Sequence, residues 1–541
     1  MISEAWLVLL IGSALAIVRV LSQAELWQRK EYRLDRMQSF LFSAEQRSVW
    51  SYPLLMALVT VNIGWLMYWL HAPFAARAAG WLTLLCLAVH DGIRIQQRGL
   101  FRPKSTVKGM TVVFVTVLLL LPVAWWLGLP PRAGALGWAT LIILVPVVAA
   151  LGVAIVNIPF ALAKYIIIAR AARLRDGLKK LTVVGITGSY GKTSTKFFLQ
   201  QLVEGTQSVL VTAEHRNAPI AVAQDMLKRL SPTTELYIVE MGAYRAREIA
   251  DLARLTKPMY GVITAISNQH VALFGSREKL AAAKWELIEA LPSDGVAILN
   301  AASDVIRARA AKETRPIVWY LAHDPKDFPE LTTTPVVYVT EVTVAPLEIH
   351  GRLHIAGAHF AVTLPLLSRA MLESVVAAVA TAHALKVPSE QIVERLARLT
   401  AYERTMKRES GKQGSLIIDD SYSANEQGVR EALLHLARFS GPKIVVLAPI
   451  IELGEEGEAV HERLGRLLPA TKATVYVTSD LYQEALLRGA REVAPSFSCK
   501  VATTPQALLA ELTAAVTADT VVLLEGRLPD VVRQGLLKPG E

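Results

Sequence analysis

Thr182-Val183-Val184-Gly185-Ile186-Thr187-Gly188-Ser189-Tyr190-Gly191-Lys192-Thr193-Ser194 is the segment around which the rest of this chain organises. Val183–Thr187 is a short apolar, β-branched run that reads as a buried strand. Glycines then recur at every third position and end in Gly-Lys-Thr, where a helical pattern begins. Glycines let backbone approach phosphate closely, and a helix N-terminus offers unpaired N–H groups and partial positive charge. Lys192 supplies a cation for the β- and γ-phosphates, and the Thr193 hydroxyl a ligand for Mg²⁺. Gly188, Ser189, Gly191, Lys192, Thr193 and Ser194 are therefore the candidate nucleotide-binding residues. The strict G-x-x-x-x-G-K-[ST] pattern would place glycine at 186, where this chain has Ile186. The competing reading is a chance strand–glycine–helix turn, and the Gly-Lys-Thr ending in this context weighs heavily against it.

Downstream, strands and helices alternate. Glu235–Met241, Tyr260–Ala265, Val296–Asn300, Leu416–Asp419, Lys443–Ala448, Ala473–Val477 and Thr520–Leu524 read as buried strands with helical stretches between them. That alternation predicts α/β domains with largely parallel sheets.

Upstream the composition is different. The 541 residues are 52% hydrophobic and only 19% charged, with a mean hydropathy of +0.36. Two cysteines, Cys86 and Cys499, exclude a disulfide framework. Nine of the eleven tryptophans occur by Trp138. Five long apolar runs, Ala5–Leu21, Pro53–Leu70, Ala78–Ile95, Met110–Leu129 and Gly134–Phe160, have the length of membrane-crossing helices. The loops at 23–50 and 96–108 carry nine Lys and Arg, and the opposite loops only Arg77 and Arg132. The excess of positive charge marks the cytoplasmic side. The expectation is a multi-pass protein of a bacterial-type inner membrane, N-terminus outside and everything after Phe160 inside. Residues 161–180 are basic and read either as a helix along lipid headgroups or as a solvated linker. Arg19, His90 and Asp91 fall near the predicted inner interface, where snorkelling or a loop position is favoured over a functional intramembrane role. The formal charge of +10 is absorbed largely by this membrane-flanking pattern, so no nucleic-acid partner is expected.

The segment T-G-x-x-G-K-T-S resembles the Mur ligases, which build the peptide stem of peptidoglycan. The resemblance covers about residue 181 to the C-terminus and is strongest to the branch that adds D-alanyl-D-alanine to UDP-N-acetylmuramoyl-tripeptide. Further motifs follow in order. Glu240-Met241-Gly242 resembles that family's E-x-G, His270–Ser276 its H-L-E-x-F-G-S, and Ala283-Lys284-Trp285-Glu286 its A-K-x-E. Leu299-Asn300 matches L-N, Asp419–Asn425 resembles D-D-S-Y-N-A-N, and Glu452-Leu453-Gly454 with the later His461 resembles E-L-G and its histidine. The resemblance implies an ATP-dependent ligase in which a carboxylate is activated as an acyl phosphate and then attacked by an amine. It implies Thr193, Glu240, His270 and Lys284 as metal ligands, with Lys284 carbamylated. Lys192, Lys284, His270 and Arg404 would serve the chemistry, and Asn300 and Asp420 would contact the nucleotide. Lys407 and Arg408 compete with Arg404 for a phosphate contact. Glu204, Glu214 and His215 have no metal-site spacing, and the acids before His461 read as a helix start.

The departures lie on the acceptor side. Membrane spans stand where the family has its UDP-binding domain. Pro449-Ile450 replaces Asp-Met, Glu525-Gly526-Arg527-Leu528 replaces K-G-S-R, and Arg369–Ser374 lacks the His and both Asn of R-H-N-x-x-N. Ala221 and Ala223 replace a Gly and a Pro. The expected organisation is a helical membrane domain (1–160), a basic linker (161–180), a P-loop central domain (181–400) and a Rossmann-like C-terminal domain (401–541). The expected partners are ATP, Mg²⁺, membrane lipids, an amino-acid or dipeptide amine, and a lipid-linked or UDP-linked carboxylate. The alternatives are unchanged D-alanyl-D-alanine addition and a non-catalytic ATP-binding scaffold.

Overall fold

The computed structural model describes residues 4–30, 32–34, 37, 52–98, 103–127, 134–213, 216–243, 245–266, 276–422, 424–450, 453, 456–502 and 504–538. The chain divides into two compact units, residues 1–166 and 167–541.

Five helices fall where the five apolar runs predict them: α1 (Glu4–Arg29), α2 (Tyr52–Trp69), α3 (Pro73–Arg98), α4 (Val107–Trp126) and α5 (Gly134–Gly177). Four of them are long and apolar enough to cross a membrane; α2 is shorter. Within the first unit, Val8, Ala57, Leu84, Leu87 and Ile142 form a dry core between helices. Large apolar side chains also point outward, among them Leu10, Phe114, Leu121 and Trp125.

Of the two readings of residues 161–180, the structure has helix as far as Gly177, where α5 ends. One expectation needs correcting. Arg19 and Asp91 do not snorkel. Arg19 Nε meets Asp91 Oδ2 at 2.8 Å, and both side chains are buried between α1 and α3. A single Arg on a helix near an interface reaches for water, but one facing a carboxylate 72 positions away pairs with it.

The second unit is built on two sheets. The first is ordered β2-β3-β1-β4-β5-β6-β7-β8-β9. Its parallel members are β1 (Thr182–Thr187), β2 (Val209–Val211), β3 (Leu236–Glu240), β4 (Tyr260–Ile263), β5 (Val296–Asn300) and β6 (Ile317–Leu321). β7 (Val337–Val344) continues the parallel order beside β6, and the antiparallel ribbon β8 (Ile349–Ile355) and β9 (Ala358–Leu364) extends the edge. The second sheet is ordered β10-β11-β15-β12-β13-β14. Here β10 is Lys407–Ser410, β11 Leu416–Asp420, β12 Lys443–Leu447, β13 Thr474–Val477, β14 Lys500–Val501 and β15 Val521–Glu525.

Val183, Val184 and Ile186 of β1 are fully buried, as expected for a strand covered on both faces. Helix α6 (Lys192–Val203) lays Phe198, Leu199, Leu202 and Val203 onto this core. β1 sits between β3 and β4, so the chain reverses its direction of sheet growth there. Open parallel sheets leave a crevice at the carboxyl ends of the strands at such a switch point. The glycine-rich turn lies at that end of β1.

Candidate functional site

The turn after β1 explains why glycine at 186 is dispensable. The Ile186 side chain is buried in the sheet, and the tight approach occurs two residues later. Gly188 has φ +154°, and a Cβ there would lie 2.0 Å from Thr264 Oγ1. Gly191 has φ +77°, and a Cβ would meet Ser374 Oγ at 2.9 Å. No side chain caps α6, which leaves its first backbone donors to another acceptor. The Lys192 ammonium folds back on the turn, 2.8 Å from the Gly188 carbonyl and 3.4 Å from that of Ser189. Burial lowers its pKa, opposed by the charge of Glu240.

Thr193 and Glu240 come together as predicted. Thr193 Oγ1 donates to Glu240 Oε2 at 3.0 Å. Two residues that the sequence did not single out complete the cluster. Lys196 Nζ lies 3.1 Å from Glu240 Oε2, and Asn217 Nδ2 donates to Oε1 at 3.3 Å. Lys196 follows Thr193 by three positions on one helix face, a spacing that could have flagged it. Burial alone would push the Glu240 carboxyl up, but Lys196 and Lys192 outweigh it and hold the pKa below the usual value. Glu240 is thus a buried carboxylate beside a hydroxyl, a hard-oxygen pair of the kind that suits Mg²⁺.

Lys284 lies on the helix Arg277–Glu289, whose N-terminus is capped by Ser276 accepting from the Lys279 amide. It is 3% exposed. Burial first, and then the charge of Lys192, bring its pKa from 10.5 to about 7, with Glu286 and Glu248 opposing. The Glu286 carboxylate accepts from the amides of Arg247 and Ala250 at 2.7 and 3.0 Å. Lys284 is therefore an amine with a large uncharged fraction at neutral pH, unlike a surface lysine. His270 lies outside the described residues, as do Glu214 and His215.

The Asn300 carboxamide is engaged by backbone on both sides, donating to the Thr264 carbonyl at 3.0 Å and accepting from the Ala302 amide at 2.9 Å. The helix Arg369–Ala384 touches the glycine turn through Ser374, whose hydroxyl donates to the Gly191 carbonyl at 3.4 Å. Its neighbour Glu373 hydrogen-bonds Tyr190, and burial raises its pKa.

Arg404 and Asp420 also converge. Arg404 has φ +61°. Its Nε donates to Ser421 Oγ at 3.0 Å, and Nη1 lies 3.6 Å from Asp530. Asp420 Oδ1 accepts from the Met406 amide at 3.1 Å. Asp420 stands opposite Glu525 in the β11–β15 ladder. Burial and neighbouring Asp419 raise the Asp420 pKa to about 7, and burial with Asp420 raises that of Glu525 well above normal. Lys407 pairs with Glu409 at 2.9 Å, and Arg408 is exposed. His461 is committed to the fold: Nε2 accepts from the Ile450 amide at 3.1 Å, and Nδ1 lies 2.7 Å from the Gly457 carbonyl. Glu456 and Glu458 do stand at the start of its helix.

Residues 186–382 match the Mur ligase middle domain, and residues 403–528 match the Mur ligase glutamate ligase domain. The UDP-N-acetylmuramoyl-tripeptide–D-alanyl-D-alanine ligase of Escherichia coli is 30% identical over 291 residues, covering 53% of this chain and 62% of that protein. The ligase of the same name from Mycobacterium leprae is 29% identical over 390 residues, covering 66% of this chain and 75% of that protein. A crystal structure of MurF from Acinetobacter baumannii superposes with a TM-score of 0.61 at 25% identity, over 69% of this chain and 80% of that one. The match therefore spans less than two thirds of the Escherichia coli relative.

Proposed function

We propose, from the premise that this chain belongs to the Mur ligase family, that it is a membrane-anchored, ATP-dependent amide ligase of cell-envelope precursor synthesis. The γ-phosphate of ATP passes to a substrate carboxylate to give an acyl phosphate. An amino-acid or dipeptide amine then attacks the acyl carbon, and phosphate leaves. Negative charge accumulates in both steps, so fixed cations and dipoles are what the protein must supply. Lys192 and the start of α6 would hold the nucleotide phosphates. Thr193, Glu240 and a carbamylated Lys284 would hold Mg²⁺, with His270 the further candidate. When bound, Mg²⁺ polarises phosphoryl oxygens and offsets their charge. Asp420 and Arg404, from the C-terminal domain, would contact the nucleotide and its phosphates.

The observation that carries this reading is the Thr193–Glu240 oxygen pair at 3.0 Å beside Lys192. Anchoring is supported by the outward-facing apolar side chains of α1, α4 and α5, which a water-exposed bundle would hide. The altered Glu525–Leu528 and Arg369–Ser374 segments favour an acceptor other than the family's soluble tripeptide. Unchanged D-alanyl-D-alanine addition is the second reading, favoured by the names of the relatives.

The deciding experiment mixes detergent-solubilised full-length protein with ATP, Mg²⁺ and extracted lipid-linked and UDP-linked precursors. Mass spectrometry then identifies which precursor gains mass. A gain only on UDP-linked tripeptide with D-alanyl-D-alanine selects the second reading. No phosphate release with any precursor and amine sinks both and leaves a non-catalytic nucleotide-binding scaffold.

A further inference from the structure

The end of the first sheet remote from the glycine turn carries a cavity of about 670 Å³ that none of the proposed chemistry uses. Thr182, the first residue of β1, lines it, whereas the glycine turn follows the last. Six residues of strand, about 20 Å, separate the two. Five cations line the cavity: Arg175, Lys179, Lys180, Arg254 and Lys257.

These cations are differently committed. Arg175 builds the wall, donating to the carbonyls of Thr256, Leu178 and Leu181 at 2.8, 3.0 and 3.2 Å. Lys257 pairs with Asp176, and Arg254 with Asp251 at 3.0 Å. Lys179 and Lys180 are exposed, and the Lys179 charge acts on Asp176, which Lys257 already engages. Two carboxylates face five cations, so positive charge remains in excess. The size lies within the usual range of small-molecule sites, roughly 300–1,000 Å³. Met259 and Pro292 add apolar wall.

We infer that this cavity binds the phosphate headgroup of an anionic phospholipid. The inference rests on the proposed membrane anchoring and goes beyond it. α5 exposes Leu162, Tyr165 and Ile166, and then the exposed Arg170 and Arg173. Arg175 follows Ile166 by nine positions on the same helix, a rise of about 14 Å. Continuity of the cations with a lipid-facing helix favours a lipid source over a free phosphate.

The test places a photoreactive amino acid at Ala250, on the cavity wall. The full chain is reconstituted in phosphatidylcholine vesicles with and without phosphatidylglycerol. A phosphatidylglycerol adduct is expected by mass spectrometry. Lys179→Gln with Lys180→Gln should lower its yield about thirtyfold, since each lysine near an anionic surface contributes about 1 kcal/mol. Lys179→Arg with Lys180→Arg should retain it. No adduct, equal yield in the Gln variant, or loss of the adduct in dilute inorganic phosphate overturns the assignment. Flotation of the chain with the vesicles is scored separately: a chain that floats without an adduct overturns the cavity alone, and one that does not float overturns anchoring as well.

Discussion

Replacing Lys284 by Met should abolish ligation and at the same time stabilise the middle domain. Lys284 titrates near 7 rather than 10.5 because burial disfavours its charge. In the unfolded chain it is protonated at pH 7. Between pH 7 and about 10.5 the folded state binds fewer protons, so stability rises with pH across that window and the penalty is complete below it. At about 1.4 kcal/mol per pH unit, the penalty at pH 7 is on the order of 4 kcal/mol. Met fills a similar volume without the charge, so Lys284→Met should recover part of that penalty and flatten the pH dependence.

The same burial suits the amine to carbamylation. At pH 8, roughly nine tenths of an amine of pKa near 7 is uncharged. Its lone pair attacks CO₂, a C–N bond forms and one proton is released, leaving an anionic oxygen pair where a cation stood. Turnover should therefore fall when CO₂ is stripped and return on adding bicarbonate. The assays are phosphate release with acceptor and amine, carbon-13 NMR after labelled bicarbonate, and thermal unfolding from pH 6 to 10. The carbamate reasoning fails if Lys284→Met keeps more than about a tenth of turnover or if no labelled carbamate is lost with it. Destabilisation by Lys284→Met at pH 7 would refute the burial argument itself.

Three further outcomes are expected. Thr193→Ala removes the hydroxyl that pairs with Glu240 and should lower kcat/KM by about 100-fold or more, with Mg²⁺ dependence shifted to higher concentration. Glu525→Gln should act on stability with the opposite pH sign to Lys284→Met. The Asp420–Glu525 pair binds extra protons when folded, so its contribution is lost as pH rises from about 4 toward 7 and beyond; the variant should resist denaturant better than the parent at pH 8. Arg19→Ala strands Asp91 without its partner and should cost about 3–5 kcal/mol, seen as loss of folded protein in membranes, and Asp91→Asn should restore much of it.

What the sequence disclosed follows physical rules. Strands buried on both faces, such as Val183–Thr187 and Val296–Asn300, are continuous apolar runs, and all eight expected strands appear within two residues at either end. The three-residue β2 is too short to show a period, and β9 alternates exposed with buried positions so irregularly that no core-facing pattern stands out. The same distinction governs the site. Gly188, Lys192, Thr193 and Glu240 form a chain-local pattern or end a strand. Lys196 shares a helix face with Thr193, but Asn217 and Glu373 are single polar residues on ordinary-looking segments, and only the packing around β3 and the helix Arg369–Ala384 reveals their partners. Arg19 and Asp91 illustrate the limit: each reads as an interfacial charge until the other is placed beside it.

One of the substitutions on the acceptor side alters a buried contact. By the resemblance drawn from the sequence, Glu525 stands where the family motif has its lysine, and it lies across the ladder from Asp420. A lysine there would balance Asp420, whereas a glutamate forces the pair to hold a proton. Glu373, in the segment that lacks the family's His and Asn residues, hydrogen-bonds Tyr190 in the glycine turn itself. Glu525 and Glu373 each carry a carboxyl of raised pKa, one across the ladder from Asp420 and the other on Tyr190 of the glycine turn, while Thr193 and Glu240 remain paired. A protein drifting away from ATP chemistry would be expected to lose the buried lysine first, since Lys284 costs stability and contributes nothing when no metal is held. The presence of a buried, uncharged-leaning lysine here is what the proposed ligase reading expects of a chain that still holds a metal.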